Sequence, residues 1–259
     1  MSVSIVILLI CSGIFVGVVN TFAGAAAAVS ISVYTALGLP IEIANGTNRL
    51  PVLFQASAAA VNFRKQHLLD YSVGLKLGIP TALGALAGAE FAASVDPSIF
   101  VILLATILIL LLTLLIFSPN RIFKGNGKPA REVRKLDCLW FFLVGLYGGA
   151  FQIGMGYVIL GLTIMGMGYD VITANALKSF IVMLYIPFSL AVFMYHGQIA
   201  YGYGLVHSIG NVIGAYVASR YATRINTQFL RWMLIVFIVL TVLDLFKIIS
   251  IKNALDNIL

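Results

Sequence analysis

Two short polar clusters interrupt apolar parts of this 259-residue sequence, and each combines asparagine with a cation. Residues 44–49 read ANGTNR, and residues 174–179 read ANALKS. On a helix, residues spaced i, i+3, i+4 and i+7 share one face, and these are Asn45, Asn48, Arg49 and Val52 in one cluster and Asn175, Lys178, Ser179 and Val182 in the other. We expect each cluster to open a helix, where unpaired N–H groups, the positive dipole end and the cation together suit an anion.

A purely structural interpretation of the two clusters is also open. Asn45 and Asn175 could act as helix N-caps, and Arg49 and Lys178 could extend their charged ends to the membrane interface. A charge within a membrane segment is costly and usually marks function. The occurrence of the same pattern in both clusters also favours the functional interpretation.

A segment with glycine precedes each cluster, at residues 22–26 and 152–156. Small residues permit close helix packing, and exposed backbone N–H groups can bind an anion, so both roles are open. Gln152 is the polar side chain best placed to join a ligand shell. The predicted substrate-binding residues are Asn45, Thr47, Asn48, Arg49, Gln152, Gly154, Gly156, Asn175, Lys178 and Ser179.

His207 and Asn211 form a further polar pair, four residues apart on one helical face. An intramembrane histidine can relay protons in coupled transport, and it can equally be a neutral, hydrogen-bonded packing residue. The sequence contains no nucleophile–base pair, metal cluster or phosphate loop. We therefore predict a protein that is not an enzyme and has no metal or other cofactor.

The composition indicates a membrane protein. Hydrophobic residues make up 61% of the chain and charged residues 10%, with a mean hydropathy of +1.05. A soluble domain carries about 25% charged residues, so the lipid bilayer is the solvent that fits this chain. The net charge of +7 is explained by basic loops that orient the chain in the bilayer, without nucleic acid as a partner.

Ten apolar stretches follow one another with short polar breaks, which predicts an all-α integral membrane fold. They are 4–22, 24–39, 45–63, 71–93, 97–117, 138–153, 155–168, 174–195, 200–219 and 228–249. A spanning helix needs about 20 residues. The stretches 24–39 and 155–168 are shorter than this, and we expect half-helices or re-entrant elements there.

The two halves of the chain match at an offset of 130 residues, without a gap. The matched pairs include Gly24 with Gly154, Gly38 with Gly168, Asn45 with Asn175 and Tyr71 with Tyr201. A self-similarity at one fixed offset indicates an internal repeat. We predict an N-terminal repeat at 1–117, a basic cytoplasmic linker at 118–137 and a C-terminal repeat at 138–259.

Loop charges predict that the two repeats have inverted topology. Arg64 and Lys65 follow the third stretch, whereas Arg220 and Arg224 follow the ninth, and their counterparts at the 130-residue offset carry no positive charge. The positive-inside rule then places equivalent loops on opposite faces. The loops 64–70 and 220–227 become cytoplasmic, together with the linker, and both termini lie outside.

The chain resembles the TauE/SafE family of bacterial sulfite and organosulfonate exporters. The resemblance is carried by residues 44–50 (ANGTNRL), 154–156 (GMG), 174–178 (ANALK) and 210–215 (GNVIGA). It implies transport of sulfite or a sulfonate across the bacterial cytoplasmic (inner) membrane by a multi-pass protein.

These observations together predict a secondary transporter of a small inorganic or organic anion. Inverted repeats commonly place the substrate near the midplane of the membrane, where alternating access exposes it to either side. Two alternatives stay open: an anion channel of the same architecture, and a proton-linked carrier for another small solute centred on His207.

Overall fold

The computed structural model describes residues 1–22, 24, 26–117, 129–221 and four positions between 235 and 243. Its regular elements in these ranges are all helical. The α-helices are α1 Val3–Phe22, α2 Ala27–Ala36, α3 Ile41–Thr47, α4 Arg49–Lys65, α5 Tyr71–Ser94, α6 Pro97–Phe117, α7 Lys135–Ala150, α8 Met155–Gly161, α9 Val171–Tyr195 and α10 Tyr201–Arg220. A π-helical turn, Leu162–Gly166, extends α8.

The predicted all-α membrane fold is confirmed. Within the residues that the structure describes, three helices are long and apolar enough to cross a membrane, namely Val3–Thr21, Tyr71–Ser94 and Val171–Tyr195. The predicted stretch 228–249, apart from its four described positions, and the linker residues Arg121, Lys124 and Lys128 lie outside the described residues. At the described end of the linker, Arg131 pairs with Asp137 of α7.

The two short stretches form short helices, as predicted. Helix α2 has 10 residues and α8 has 7. At a rise of 1.5 Å per residue, ten residues extend about 15 Å, which is half of a hydrocarbon core of about 30 Å. Neither helix can cross the bilayer alone, so each needs protein around its ends.

The predicted helix starts at residues 45 and 174 are wrong. Helix α3 begins at Ile41, after Pro40, and α9 begins at Val171, after Asp170. The Asp170 carboxylate accepts hydrogen bonds from the N–H groups of Ile172 (2.9 Å) and Thr173 (3.0 Å), which makes Asp170 an N-cap. Asn45 and Asn175 therefore lie one turn inside their helices, and neither is an N-cap.

The stretch 45–63 also divides in two. Helix α3 ends at Thr47, and α4 begins at Arg49 after a turn at Asn48. Pro51 explains the interruption because proline has no N–H to donate to the carbonyl four residues earlier, that of Thr47. The turn places Arg49 at the start of α4, whereas Lys178 lies within the continuous helix α9.

Helices from the two halves pack in close pairs. Helix α1 packs along α10, and α5 packs along α7. Glycines at both interfaces bring backbones together: a Cβ added to Gly17 would overlap the carbonyl of Asn211, and one added to Gly88 would overlap that of Leu146. Such small-residue contacts are typical of membrane helix pairs.

The two helix pairs correspond to each other under the predicted 130-residue shift. That shift takes α1 onto α7 and α5 onto α10, so the pair α1–α10 becomes α7–α5. It also pairs glycines of similar backbone conformation, Gly24 (φ +67°) with Gly154 (φ +72°) and Gly38 (φ +89°) with Gly168 (φ +85°). These correspondences agree with an internal repeat, and the inversion of one half relative to the other stays a prediction.

The helices expose large apolar side chains and bury small or polar ones. On α5, Leu75, Ile79 and Leu83 are exposed, whereas Gly78 and Thr81 are buried. In water such a surface would be unstable, but in lipid it costs nothing, because lipid tails are as apolar as leucine. The interior is therefore where polar chemistry is found.

We expect Gly88→Ala to destabilise the protein by separating α5 from α7. Overpacking costs about 1–3 kcal/mol, which corresponds to a fall in Tm of roughly 2–10 °C for a chain of this size. The control is Gly161→Ala in α8, where an added Cβ meets no atom within 4 Å. Thermal unfolding of the detergent-solubilised variants, followed by size-exclusion chromatography, measures both. Equal Tm values for the two variants would contradict this packing.

Candidate functional site

Two helix breaks, one from each half, meet inside the protein. The first lies between α1 and α2 and contains Gly24, and the second lies between α7 and α8 and contains Gln152 and Gly154. The N–H of Gly156 donates to the carbonyl of Gly24 (3.2 Å). A Cβ on either residue would overlap the Cα of the other, so this contact requires glycine on both sides.

Arg49 binds the end of α7 at the second break. Its Nη1 donates to the carbonyl of Gly148 (2.8 Å), and its Nη2 donates to the carbonyls of Gly149 (2.9 Å) and Ala150 (3.1 Å). The side chain is 0% exposed, and its guanidinium carbon lies 5.0 Å from the centre of the Phe193 ring. Because the last carbonyls of a helix have no partner within it, Arg49 acts as a cap for α7.

Lys178 binds the end of α1 at the first break in the same way. Its Nζ donates to the carbonyls of Asn20 (3.0 Å) and Thr21 (2.5 Å) and to Oδ1 of Asn175 (2.7 Å). Lys178 is 3% exposed. Each cation thus caps a helix of the other half. Neither extends to the membrane interface, so that interpretation of Arg49 and Lys178 is wrong.

Three of the predicted site residues support this capping arrangement. Asn45 donates from Nδ2 to the carbonyl of Ala150 (2.9 Å), which Arg49 also binds. Asn48 donates from Nδ2 to Oε1 of Gln152 (3.3 Å). Asn175 accepts from Lys178 and donates to the carbonyl of Val171 (2.9 Å).

Thr47 has a different role, at the start of α10. Its hydroxyl oxygen accepts a hydrogen bond from the N–H of Ala200 (2.8 Å), the residue before that helix. Thr47 is fully buried. It therefore joins two parts of the scaffold and does not face the breaks.

A small cavity of about 30 Å³ lies beside the two breaks. Its polar lining consists of Asn20, Thr21, Gln55, Gln152, Lys178, Ser179 and Tyr185. Of the ten predicted binding residues, Gln152, Gly156, Lys178 and Ser179 line the cavity, and Asn45, Thr47, Asn48, Arg49, Gly154 and Asn175 do not. A cavity needs about 10–15 Å³ to hold one water molecule, so this one suits a solute of a few atoms.

Several polar residues of the cavity walls were not predicted from the sequence, and two of them are Gln55 on α4 and Tyr185 on α9. They correspond to each other under the 130-residue shift, as do Val52 and Val182 in the same walls. Extending the predicted polar face by one turn beyond Val52 and Val182 would have found both residues. The repeat offset thus holds in the cavity lining as well as in the helix pairing.

The electrostatic character of the cavity is positive. Lys178 is the charged residue of its described lining, which contains no Asp or Glu. Neither Lys178 nor Arg49 forms an ion pair with any residue in the described ranges. In the part of the chain that the structure describes, no group of three His, Cys, Asp or Glu side chains could hold a metal ion.

His207 and Asn211 lie apart from the cavity lining, between α10 and α1. The His207 ring is fully buried, and its Nδ1 lies 2.7 Å from the hydroxyl of Tyr34. Asn211 donates from Nδ2 to the carbonyl of His207 (3.0 Å). The structure therefore brings these two residues together, but not with Lys178.

Similarity to known proteins agrees with the resemblance found in the sequence. The family described as "Sulfite exporter TauE/SafE" matches residues 9–245. A probable membrane transporter protein, ORF9, of Sinorhizobium sp. is 25% identical over 225 residues, covering 85% of this chain and 84% of that protein. A probable membrane transporter protein of Haemophilus influenzae is 23% identical over 238 residues, covering 90% and 91%. No solved structure matches the chain.

The match extends across both halves of the chain, including both capping cations and both helix breaks. The chain therefore belongs to the sulfite exporter TauE/SafE family of multi-pass membrane transporters.

Proposed function

We propose that this transporter carries a small anion, sulfite or an organosulfonate, by alternating access around the cavity between the two helix breaks. The observation that carries this proposal is Lys178, a buried cation in a cavity whose described lining residues include no carboxylate. A buried charge needs a partner, and a bound anion supplies the charge that the lining lacks. The family description supplies sulfite as the first substrate to test.

The two cations have different parts in this proposal. Lys178 lines the cavity and Arg49 does not. All three protons of the Lys178 ammonium group already have acceptors. Lys178 therefore attracts the anion through its electric field, which is strong in a site of low dielectric. The hydrogen bonds to the anion come from neighbouring groups. Arg49 maintains the second helix break.

The geometry of the cavity supports a carrier more than a channel. A space of about 30 Å³ is a site for one small ion and not a continuous pore. Its walls include parts of α1 and α4 from the first half and of α8 and α9 from the second, and the breaks touch through Gly24 and Gly156. A small movement of one half against the other would open the cavity toward one side of the membrane.

We further propose that the protein resides in the bacterial cytoplasmic membrane with its central linker inside and both termini outside. The basic linker and the positively charged loops after α4 and α10 support this orientation. Equivalent loops of the two halves then lie on opposite faces.

We expect Lys178→Gln to reduce sulfite flux into proteoliposomes at least tenfold, because the buried anion loses the cation that balances its charge. Because Lys178 also caps α1, the flux is compared at equal amounts of protein with an unchanged size-exclusion profile. The matched control is Lys65→Gln, which removes an exposed lysine at the end of α4. Saturable flux that is accelerated by sulfite on the opposite side identifies a carrier, whereas single-channel currents identify a channel. Wild-type flux in Lys178→Gln would contradict the site.

The proposed topology predicts opposite labelling of two equivalent positions. Gln66 and His196 follow α4 and α9 and are related by the 130-residue shift. In a background without Cys11 and Cys138, we expect His196→Cys to react with a membrane-impermeant thiol reagent added to intact cells. Gln66→Cys should react only after permeabilisation. Labelling of both from the same side would contradict inverted repeats.

We expect His207→Gln to retain sulfite flux and its pH dependence. The His207 side chain lies outside the cavity lining and contacts Tyr34, which favours a packing role. Flux measured with and without an imposed pH gradient tests this. Loss of gradient-driven flux in His207→Gln, with unchanged exchange of sulfite for sulfite, would instead support the proton-linked carrier.

A further inference from the structure

We propose that Gln55, Gln152 and Tyr185 form a set of hydrogen-bond donors that binds the oxygen atoms of a fully deprotonated anion. The inference rests on the proposed anion site and adds to it the groups that touch the ligand. All three side chains line the cavity and are at least nine-tenths buried. Among the described residues, the Gln55 and Gln152 side chains act as hydrogen-bond acceptors through Oε1. Neither their Nε2 atoms nor the Tyr185 hydroxyl donates a hydrogen bond to another described residue.

Hydrogen bonds to its oxygen, including one from Arg49, fix the orientation of the Gln152 amide. Oε1 of Gln152 accepts from Nη1 of Arg49 (2.8 Å) and from Nδ2 of Asn48 (3.3 Å). A guanidinium group can donate hydrogen bonds but cannot accept them. The oxygen of the amide must therefore face Arg49, and the NH₂ group is left for the cavity. Arg49 is a positioning residue for Gln152.

The Gln55 amide is oriented by a similar relay through Asn20. The N–H of Ala26 donates to Oδ1 of Asn20 (2.9 Å), so the amide nitrogen of Asn20 points the other way. That nitrogen donates to Oε1 of Gln55 (3.3 Å). The relay begins at a backbone N–H, which cannot reverse its role, and it leaves the NH₂ group of Gln55 as a free donor beside the cavity.

Tyr185 on α9 completes the set. It occupies on α9 the position that Gln55 occupies on α4, and it is 1% exposed. A hydroxyl group can donate or accept, but beside two amide NH₂ groups and the Lys178 cation, an anion oxygen is the partner that uses it as a donor. Donors from both halves of the chain thus face one small space.

This donor set has a chemical consequence for selectivity. The oxygen atoms of a sulfonate or of unprotonated sulfite only accept hydrogen bonds, so every donor finds a partner. An anion that retains an O–H group, such as dihydrogen phosphate, would bring a further donor toward NH₂ and ammonium groups that cannot accept, and pairing it with the Tyr185 hydroxyl would remove Tyr185 from the donor set, which is costly. We therefore expect the site to prefer anions without O–H groups.

The test uses purified full-length protein in proteoliposomes, with sulfite as substrate and methanesulfonate or phosphate as competitor. Gln55→Glu and Gln152→Glu keep the side-chain shape but replace an NH₂ donor with an oxygen. We expect each to raise KM for sulfite about 10- to 100-fold with a smaller change in kcat. The matched control is Gln198→Glu, a glutamine outside the cavity whose Nε2 binds the carbonyl of Ala93.

A variant without added charge keeps the inference testable if the Gln→Glu variants do not fold. Tyr185→Phe removes one hydroxyl without adding charge, and Tyr195→Phe at an exposed position is its control. We expect Tyr185→Phe, but not Tyr195→Phe, to raise KM for sulfite and to weaken inhibition by methanesulfonate relative to phosphate. Unchanged KM and unchanged inhibition in Tyr185→Phe, Gln55→Glu and Gln152→Glu would overturn the inference.

The outcome separates this inference from the proposed function. If Lys178→Gln loses sulfite flux but keeps the size-exclusion profile and Tm of the wild type, while all three donor variants keep the wild-type KM and competitor preference, the anion site stands and the donor set is wrong. If wild-type protein neither transports sulfite nor is protected from thermal unfolding by sulfite and methanesulfonate, both proposals fail.

Discussion

The structure depends on one constraint, the need to satisfy main-chain carbonyls where helices end inside a membrane protein. Water is absent from the bilayer core, and each unsatisfied carbonyl there costs several kcal/mol. Helices α1 and α7 both end at such places. Arg49 supplies donors to the end of α7, and Lys178 supplies them to the end of α1. Since each cation lies on the opposite half of the chain, the capping that permits the breaks also joins the halves.

This arrangement leaves positive charge inside the protein, and no carboxylate of the described residues pairs with it. The hydrogen bonds from carbonyl oxygens lower the cost of burial, because carbonyl dipoles direct their negative ends at the cations. They do not cancel the charge itself. A cavity beside one of these cations is therefore a place where a small anion is stabilised, and the same interactions that hold the helix ends create the conditions for binding.

Part of this site could be predicted from the sequence. The shared spacing of Asn45, Asn48 and Arg49 with Asn175, Lys178 and Ser179 indicated two equivalent polar faces, and the structure places both at the centre of the helix packing. The main-chain partners of the two cations were not predictable, because these carbonyls lie about 100 or more residues away in the chain. Local patterns do not reveal where a distant helix will end. The N-cap Asp170 was not predicted because we placed the helix start at the cluster of residues 174–179, whereas the helix begins three residues before that cluster, at Val171.

Arg49 and Lys178 cap helix ends, whereas Tyr185 and Gln55 in the cavity walls do not. This difference in role affects how the substrate of such a chain can change during evolution. Substitution of Arg49 or Lys178 leaves backbone carbonyls without partners. The loss of stability alone therefore disfavours substitutions at these two positions. Tyr185 holds no helix end in place, and its counterpart in the first half is already a different residue, Gln55. A duplicated ancestor with two identical halves could therefore acquire a new cargo by changing wall residues one half at a time, while its architecture stayed constant.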